Sequence, residues 1–405
     1  MEGGCGLGGI KDKVAIIGMG CTRFGERWDA SGQDLIIEAV KEALEDANVE
    51  IKDIDAAWLG VCFPRISLGL TGMPLSTALK LPFLPVTHVE NLCATGTEAI
   101  RAAAYAVAAG TCEIALVVGV EKLKDLGYSG VPEVVSDDWC SKFYFSTIGP
   151  PGAFAQMATR YFAKYEIPPV KGKEILAKIS VKSHEAGALN PKAHLRRRIT
   201  IEEALKAPII AWPLGLYDCC GVSDGAAAAI LVPAEKAKEY REDPIYIKAL
   251  QVAVSSGEEL LYNWDGVHIE STVRAAQRAY REAGIENPRK QLDLLELHDC
   301  FSITELVTYE DIGVSPRGRA GEDVMSGLFD LKGEIPCQSD GGLKCFGHPI
   351  GASGIRMMYE IYKQLQGKAG ERQKQGRCEL GLTHNLGGYP FRAIAAICIL
   401  GAHRG

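Results

Sequence analysis

The hydrophobic pattern alternates short unbroken apolar runs with longer stretches in which apolar residues recur at helical spacing. Val14-Ala15-Ile16-Ile17-Gly18 reads as a buried strand, about Gln33 to Ala47 as an amphipathic helix, and Asp55 to Val61 as a second strand. Val86 to Asn91 is strand-like and gives way, at Cys93, to a helix crowded with small side chains. From Ala99 to Ala109 that helix is apolar or small on nearly every face, which predicts burial between sheets. Cys112 to Gly119 is apolar and β-branched enough for the middle of a sheet.

The second half runs through the same order. Tyr246 to Val254 reads as a strand, Thr272 to Ala283 as an amphipathic helix and Leu292 to Leu297 as a strand. A helix from Ala352 to Gln366 then precedes Cys378-Glu379-Leu380-Gly381-Leu382, which matches Cys112-Glu113-Ile114-Ala115-Leu116 at the same point of the unit. Two such halves imply a duplicated, layered α/β fold. We place the N-terminal half at residues 10–120 and 216–251 and the C-terminal half at 252–405. Residues 121–215 carry aromatic, proline-rich and basic segments that fit neither repeat. An excursion of that length reads as an inserted loop domain that covers a binding site.

Composition narrows the chemistry. A net charge of −7 argues against nucleic acid as the main partner. It leaves room for a local basic patch, Arg196-Arg197-Arg198, which is either a solvated surface run or a clamp on the phosphates of a nucleotide-like cofactor. No apolar stretch approaches the roughly 18 to 20 residues of a membrane span, and Met1 to Gly9 lacks the regions of a signal peptide, so a cytoplasmic location is expected. The 13 cysteines include no CxxC pair, which points to reduced thiols, with neither a disulfide framework nor a zinc site.

One of those cysteines stands out by position. Cys93 lies at a helix N-terminus, where unpaired N–H groups favour a thiolate and can also hold an oxyanion. Three further segments carry matching chemistry. His298-Asp299-Cys300-Phe301 follows a predicted strand, the usual place for ligand contacts in α/β sheets. Gly347-His348-Pro349-Ile350-Gly351 fixes an imidazole in a tight loop ahead of a helix. Thr383-His384-Asn385-Leu386-Gly387-Gly388 reads as a turn whose paired glycines let backbone approach a substrate. A cysteine with histidines is a nucleophile with its base, and a second thiol, Cys300, is a candidate proton shuttle.

Together these segments resemble the thiolase superfamily, over nearly the whole chain. Asp218-Cys219-Cys220-Gly221-Val222-Ser223-Asp224-Gly225-Ala226 is similar to the thiolase segment that re-enters the first half, which places Cys220 near the pantetheine arm. Degradative thiolases carry Asn-Glu-Ala-Phe where His298-Asp299-Cys300-Phe301 stands, and a second catalytic cysteine where His384 or Asn385 stands here. The sterol-carrier-protein and archaeal types show the same exchange, and in them the cysteine of the His-Asp-Cys-Phe segment is thought to take over acid/base work.

The resemblance implies a layered αβαβα fold, with two mixed sheets around buried helices, and CoA as a substrate with no metal in this chain. It implies that a 3-oxoacyl-CoA is attacked by Cys93, that His348 accepts the thiol proton, that His298 and His348 hold the enolate oxygen, and that Cys300 protonates its carbon. N–H groups at Cys93 and around Gly387 and Gly388 would hold tetrahedral oxyanions, worth roughly 3 to 4 kcal/mol each. Arg196 and Arg197 are the expected CoA contacts, with Cys220. Further expectations are a homodimer and a small partner with a zinc ribbon and an oligonucleotide-binding-type fold.

For the acyl group, Tyr128, Trp139, Phe143, Tyr144 and Phe145 concentrate aromatics in the loop domain. With a general resemblance to thiolases of anaerobic aromatic breakdown, they suggest benzoylsuccinyl-CoA, cleaved to benzoyl-CoA and succinyl-CoA. Acetoacetyl-CoA, as in an acetyl-CoA C-acetyltransferase, is the simpler alternative. A ketosynthase, a thiolase-like retro-aldolase, a hydroxymethylglutaryl-CoA synthase and a non-catalytic CoA-ester scaffold are the competing readings.

Overall fold

The computed structural model describes residues 9–63, 68, 70–126, 149–257 and 264–405. Its strands are β1 (Val14–Cys21), β2 (Ala56–Gly60), β3 (Val86–Val89), β4 (Ala115–Lys122), β5 (Ile209–Ala211), β6 (Leu214–Gly215), β7 (Asp224–Pro233), β8 (Ile245–Val254), β9 (Leu294–Glu296), β10 (Leu380–Tyr389) and β11 (Arg392–Gly401). The helices that matter for the site are α1 (Gly32–Ala47), α2 (Thr95–Ala108), α3 (Gly149–Lys164), α4 (Pro169–Leu189), α5 (Glu270–Ala283), α6 (Ser302–Asp311) and α7 (Ile350–Leu365). Among the described residues no helix is long and apolar enough to cross a membrane.

Nine strands run in the order β3-β2-β4-β7-β1-β8-β11-β10-β9. The sheets expected for the two halves meet edge to edge, through only two residue pairs between β1 and β8, Ala15 with Tyr246 and Ile16 with Ile245. Helix α1 lies on β1 and β7, and α5 lies on β8 and β11. Both are amphipathic for that reason: Leu35, Ile36, Ala39, Val40 and Ala43 of α1 recur at helical spacing and are buried. A capping box starts α1, with Ser31 Oγ accepting from the Asp34 N–H and the Asp34 carboxylate accepting from the Ser31 N–H. The region between the halves holds α3, α4 and the β5–β6 hairpin. It packs against the C-terminal half, where the ring of Phe154 sits 4.7 Å from that of Phe301 and Ser180 Oγ lies 3.0 Å from Ser302 Oγ.

Between the sheet layers lie α2 and α7, and their crossing places the site. A side chain at Gly96 would come within 2.8 Å of the Gly351 carbonyl and 3.0 Å of the Gly354 nitrogen, so the two backbones touch only because these positions are bare. Helix α7 is the fully enclosed one, buried at every residue but Lys363. Helix α2 is enclosed on one face only. Tyr105 is 40% exposed, contrary to the all-round burial expected from its small residues.

Two further expectations are corrected. Strand β4 begins at Ala115 and not at Cys112, because the Asp55 carboxylate accepts from the Glu113 and Ile114 N–H groups and holds them in a turn. It continues through Glu121 and Lys122, two charged residues that are buried because both are paired. The Thr383–Gly388 segment is no turn: it lies within β10, every residue of which pairs with β11, and chain reversal comes at Pro390-Phe391.

Candidate active site

The loop before Cys93 is held at every step. Leu92 adopts φ +50°, a left-handed conformation costly for a branched side chain. Its N–H donates to Glu90 at 2.6 Å, Thr95 Oγ1 accepts from the Asn91 N–H at 2.8 Å, and the same hydroxyl donates to the Leu92 carbonyl. These bonds offset the strain and turn Cys93 out ahead of α2, where it keeps partial access to solvent. Gly387 backs the elbow: a Cβ there would lie 2.9 Å from both the Asn91 carbonyl and Leu92 Cβ. The adjacent Gly388, at φ +88°, aims its N–H at the Cys93 sulfur, as does the N–H of Cys93 itself.

The ligating atoms of Cys93, His298 and His348 all lie within 4.8 Å of one another. The imidazoles meet edge to face, with centroids 5.2 Å apart. His348 Nδ1 lies 2.7 Å from Ser353 Oγ, and that hydroxyl donates to the Pro349 carbonyl at 2.9 Å. A hydroxyl has one proton, so Ser353 accepts from His348 Nδ1–H, and Nε2 of His348 is left as a proton acceptor. His298 Nδ1 instead faces the Asn385 amide nitrogen at 3.2 Å.

Burial outweighs the helix end in setting the ionisation of this cluster. Desolvation, with the nearby thiol of Cys220 and the Glu121 carboxylate, pushes the Cys93 thiol up to about 12 against its two N–H donors. The thiolate expected from position alone is therefore not the resting form. Burial first and the Arg356 guanidinium second hold His348 down at about 3, while burial, then the imidazoles of His348 and His384, and last Arg356 hold His298 well below the usual histidine range. Arg356 itself is fully buried and paired with Glu296 at 2.8 Å and Asp340 at 2.5 Å. The site thus rests as neutral thiol and neutral imidazoles, with His348 Nε2 able to accept a proton from a neighbouring group.

Cys300 lies just ahead of α6, buried, 3.5 Å from Thr304 Oγ1. Its thiol is pushed up by burial, so it is kept as a proton donor. Its carbonyl accepts from the Cys220 N–H at 2.9 Å, which puts Cys220 beside Cys300. The Asp299 carboxylate accepts from the Leu343 N–H at 2.6 Å. It pairs with Lys344 at 3.1 Å, while Lys182 and Lys344 share Glu305 at 2.9 and 3.5 Å. This buried network ties the His298 loop to α4 and to the segment leading into His348. Of the two candidates on β10, Asn385 reaches the site, whereas His384 Nε2 turns the other way, to Thr272 Oγ1 at 3.0 Å.

Arg196 and Arg197 are not brought to the sulfur. Both are exposed, and Arg197 is tied to Glu203. The run nonetheless starts where His194 and Leu195 donate to the Phe346 and Cys345 carbonyls, at 3.1 and 2.9 Å, two and three residues before His348. The aromatics at 128, 139 and 143–145 lie outside the described residues. One group near the thiol was missed from sequence: the Glu121 carboxylate accepts from the N–H groups of Cys62, Phe63 and Gly351 at 3.1, 2.9 and 2.8 Å. Burial pushes it up to about 7 in spite of those donors. Its only sequence signal was a charge at the end of a buried apolar run.

Residues 14–235 match the family described as thiolase, N-terminal domain, and residues 253–401 the thiolase C-terminal domain-like family. An acetyl-CoA acetyltransferase of Methanothermobacter thermautotrophicus is 38% identical over 93% of this chain and 96% of its own length. Sterol carrier protein 2 of Homo sapiens is 30% identical over 93% of this chain and 70% of its own. Among solved structures, a chain of the Ltp2-ChsH2(DUF35) aldolase superposes with a TM-score of 0.83 at 23% identity, covering 98% of this chain and 99% of that one.

Proposed function

The chain belongs to the thiolase family, of the sterol-carrier-protein and archaeal type, and is an acyltransferase with CoA as a substrate; from that premise we propose that it cleaves a 3-oxoacyl-CoA with CoA through an acyl group on Cys93. The observation that carries this reading is the convergence of Cys93 Sγ with one imidazole that can take a proton and a second beside it. Cys93 attacks the keto carbon as His348 Nε2 takes its proton. The bond between C2 and C3 breaks, its electron pair passes to an acyl-CoA enolate held by His298 and protonated His348, and Cys300 protonates C2. CoA thiol then attacks the Cys93 thioester, its proton restores Cys300, and His348 returns its own to Cys93. The N–H groups of Cys93 and Gly388 hold the oxyanions.

Acetoacetyl-CoA is the substrate we favour, since archaeal relatives at 38% and 37% identity are acetyl-CoA acetyltransferases. Benzoylsuccinyl-CoA is the aryl alternative. A retro-aldol reading is favoured by one observation, that the neighbour with a TM-score of 0.83 is named an aldolase. That aldolase's name joins two components, Ltp2 and ChsH2(DUF35), which supports a partner chain here, for which a small zinc-ribbon protein is our proposal. Among the described residues strand β3 is one of the two edges of the sheet, the one we propose for a homodimer. Arg196, Arg197 and Cys220 remain the proposed CoA contacts.

The test is loss of acetoacetyl-CoA and of benzoylsuccinyl-CoA, with and without CoA and a co-expressed zinc-ribbon partner, with Cys93→Ala as blank. CoA-dependent cleavage that vanishes in the blank supports the thiolase reading, and the cleaved substrate identifies the acyl group. CoA-independent cleavage of a 3-hydroxyacyl-CoA, with neither oxo substrate consumed, would replace it with the aldolase.

A further inference from the structure

Two adjacent imidazoles serve one thiol, and something must assign them different jobs. Free imidazole carries its proton on either nitrogen, so the partner behind the ring decides. For His348 that partner is Ser353. For His298 it is Asn385, fully buried on β10, whose two ends are both engaged: Oδ1 accepts from the Thr97 hydroxyl at 3.2 Å, and Nδ2 faces His298 Nδ1 at 3.2 Å. The pair is inset between α2 and α7, since a Cβ at Gly354 would fall 2.4 Å from Asn385 Oδ1 and 2.5 Å from Thr97 Oγ1.

We infer that Asn385 is a positioning residue: oriented by Thr97, it gives its amide proton to His298 Nδ1 and so fixes the proton of that ring on Nε2. His298 then faces substrate as a neutral hydrogen-bond donor, while Ser353 leaves His348 beside it as an acceptor. The relay orders itself from the outside in. Thr97 gives its only proton to Oδ1, which turns the amide, and the amide sets the imidazole. The catalytic consequence rests on the thiolase reading above, whereas the tautomer does not.

Asn385→Asp reverses the sense of the contact, because a carboxylate accepts and does not donate. With ¹⁵N-labelled histidine, and His298→Gln used to assign the signals, the wild-type protein should show His298 protonated at Nε2 and His348 at Nδ1. Asn385→Asp should move the His298 proton to Nδ1 and leave His348 unchanged. Its kcat should fall by about 100-fold, the scale of a lost oxyanion donor, with little change in KM for CoA. Activity should recover towards acid pH, where the imidazolium regains an Nε2–H. A wild-type His298 protonated at Nδ1, or an Asn385→Asp protein with His298 still protonated at Nε2, would overturn the inference. If the His348 signals are lost as well, the variant is misfolded, and Thr97→Val decides by the same readout: a mixture of His298 tautomers supports the relay, and an unchanged tautomer contradicts it. Should wild type cleave no thioester, the proposed reaction fails while the tautomer readout still stands.

Discussion

Helices α2 and α7 occupy equivalent places in the two halves and cross through bare glycines, yet each delivers a different chemical group. Ahead of α2 the chain makes a strained elbow at Leu92 and presents a thiol with partial access to solvent. Ahead of α7 it makes a glycine-proline loop and presents an imidazole that is almost entirely buried. The surroundings differ in the same sense. N–H groups point at Cys93 and the buried Glu121 carboxyl acts on it through space, whereas His348 has a hydroxyl behind it and the cation of Arg356 in the helix that follows. A duplicated scaffold can thus bring two helix ends together, and on the proposed mechanism the polar groups around each end suit one to be the nucleophile and the other the base.

Removing the group on the α2 side should have the largest effect. Cys93→Ala should lower CoA-dependent thiolysis by about 10⁴-fold or more, since it removes the proposed carrier of the acyl group. A residual rate within tenfold of wild type would break the assignment of α2 as the nucleophile's helix. Next in size is the cation inside α7. Arg356→Met leaves Glu296 and Asp340 buried without their shared partner, and should cost about 3 to 5 kcal/mol of stability. The check is the unfolding midpoint in urea, at matched slope.

Ser353→Ala removes the hydroxyl behind His348 and should lower kcat by about 10- to 100-fold, the scale seen when an orienting partner of a functional histidine is lost. KM for CoA should hardly move. The smallest effect is a pH slope that sets the halves against each other. His348 and His384, held at about 3, bind protons only after unfolding as the pH falls below 6.5, so each weakens the fold by about 1.4 kcal/mol per pH unit between 6 and 5. Glu121, raised from 4.5 to about 7, binds its proton in the folded state across the same window and opposes them by a similar amount. Glu121→Gln should therefore steepen the loss of stability by about 1.4 kcal/mol per unit, read from unfolding curves at the two pH values.

The gathering of Cys93, both imidazoles and Cys300 was legible in the chain because each sits at a junction that sequence marks well: a strand end, a helix start or a glycine loop. What stayed hidden was polar and buried. The end of β4 was obscured by Glu121 and Lys122, whose partners come from other elements, and no local pattern announces a charge that will be paired at a distance. The segment holding Asn385 read as a turn because paired glycines usually mean one. Those glycines instead let β10 lie against the Cys93 elbow, a contact between segments far apart in the chain. The helix ahead of which Cys93 stands was expected to favour a thiolate, and burial reverses the sign.

On the proposed mechanism Cys93 carries the acyl group. The direct measurement is mass analysis of the peptide bearing Cys93 after brief incubation with acetoacetyl-CoA without free CoA, acid quench and digestion. An acetyl adduct on Cys93 that disappears when CoA is added before the quench is expected. A protein that turns over acetoacetyl-CoA while Cys93 stays unmodified, or an adduct on Cys300 or Cys220 that CoA removes at the rate of turnover, would contradict it.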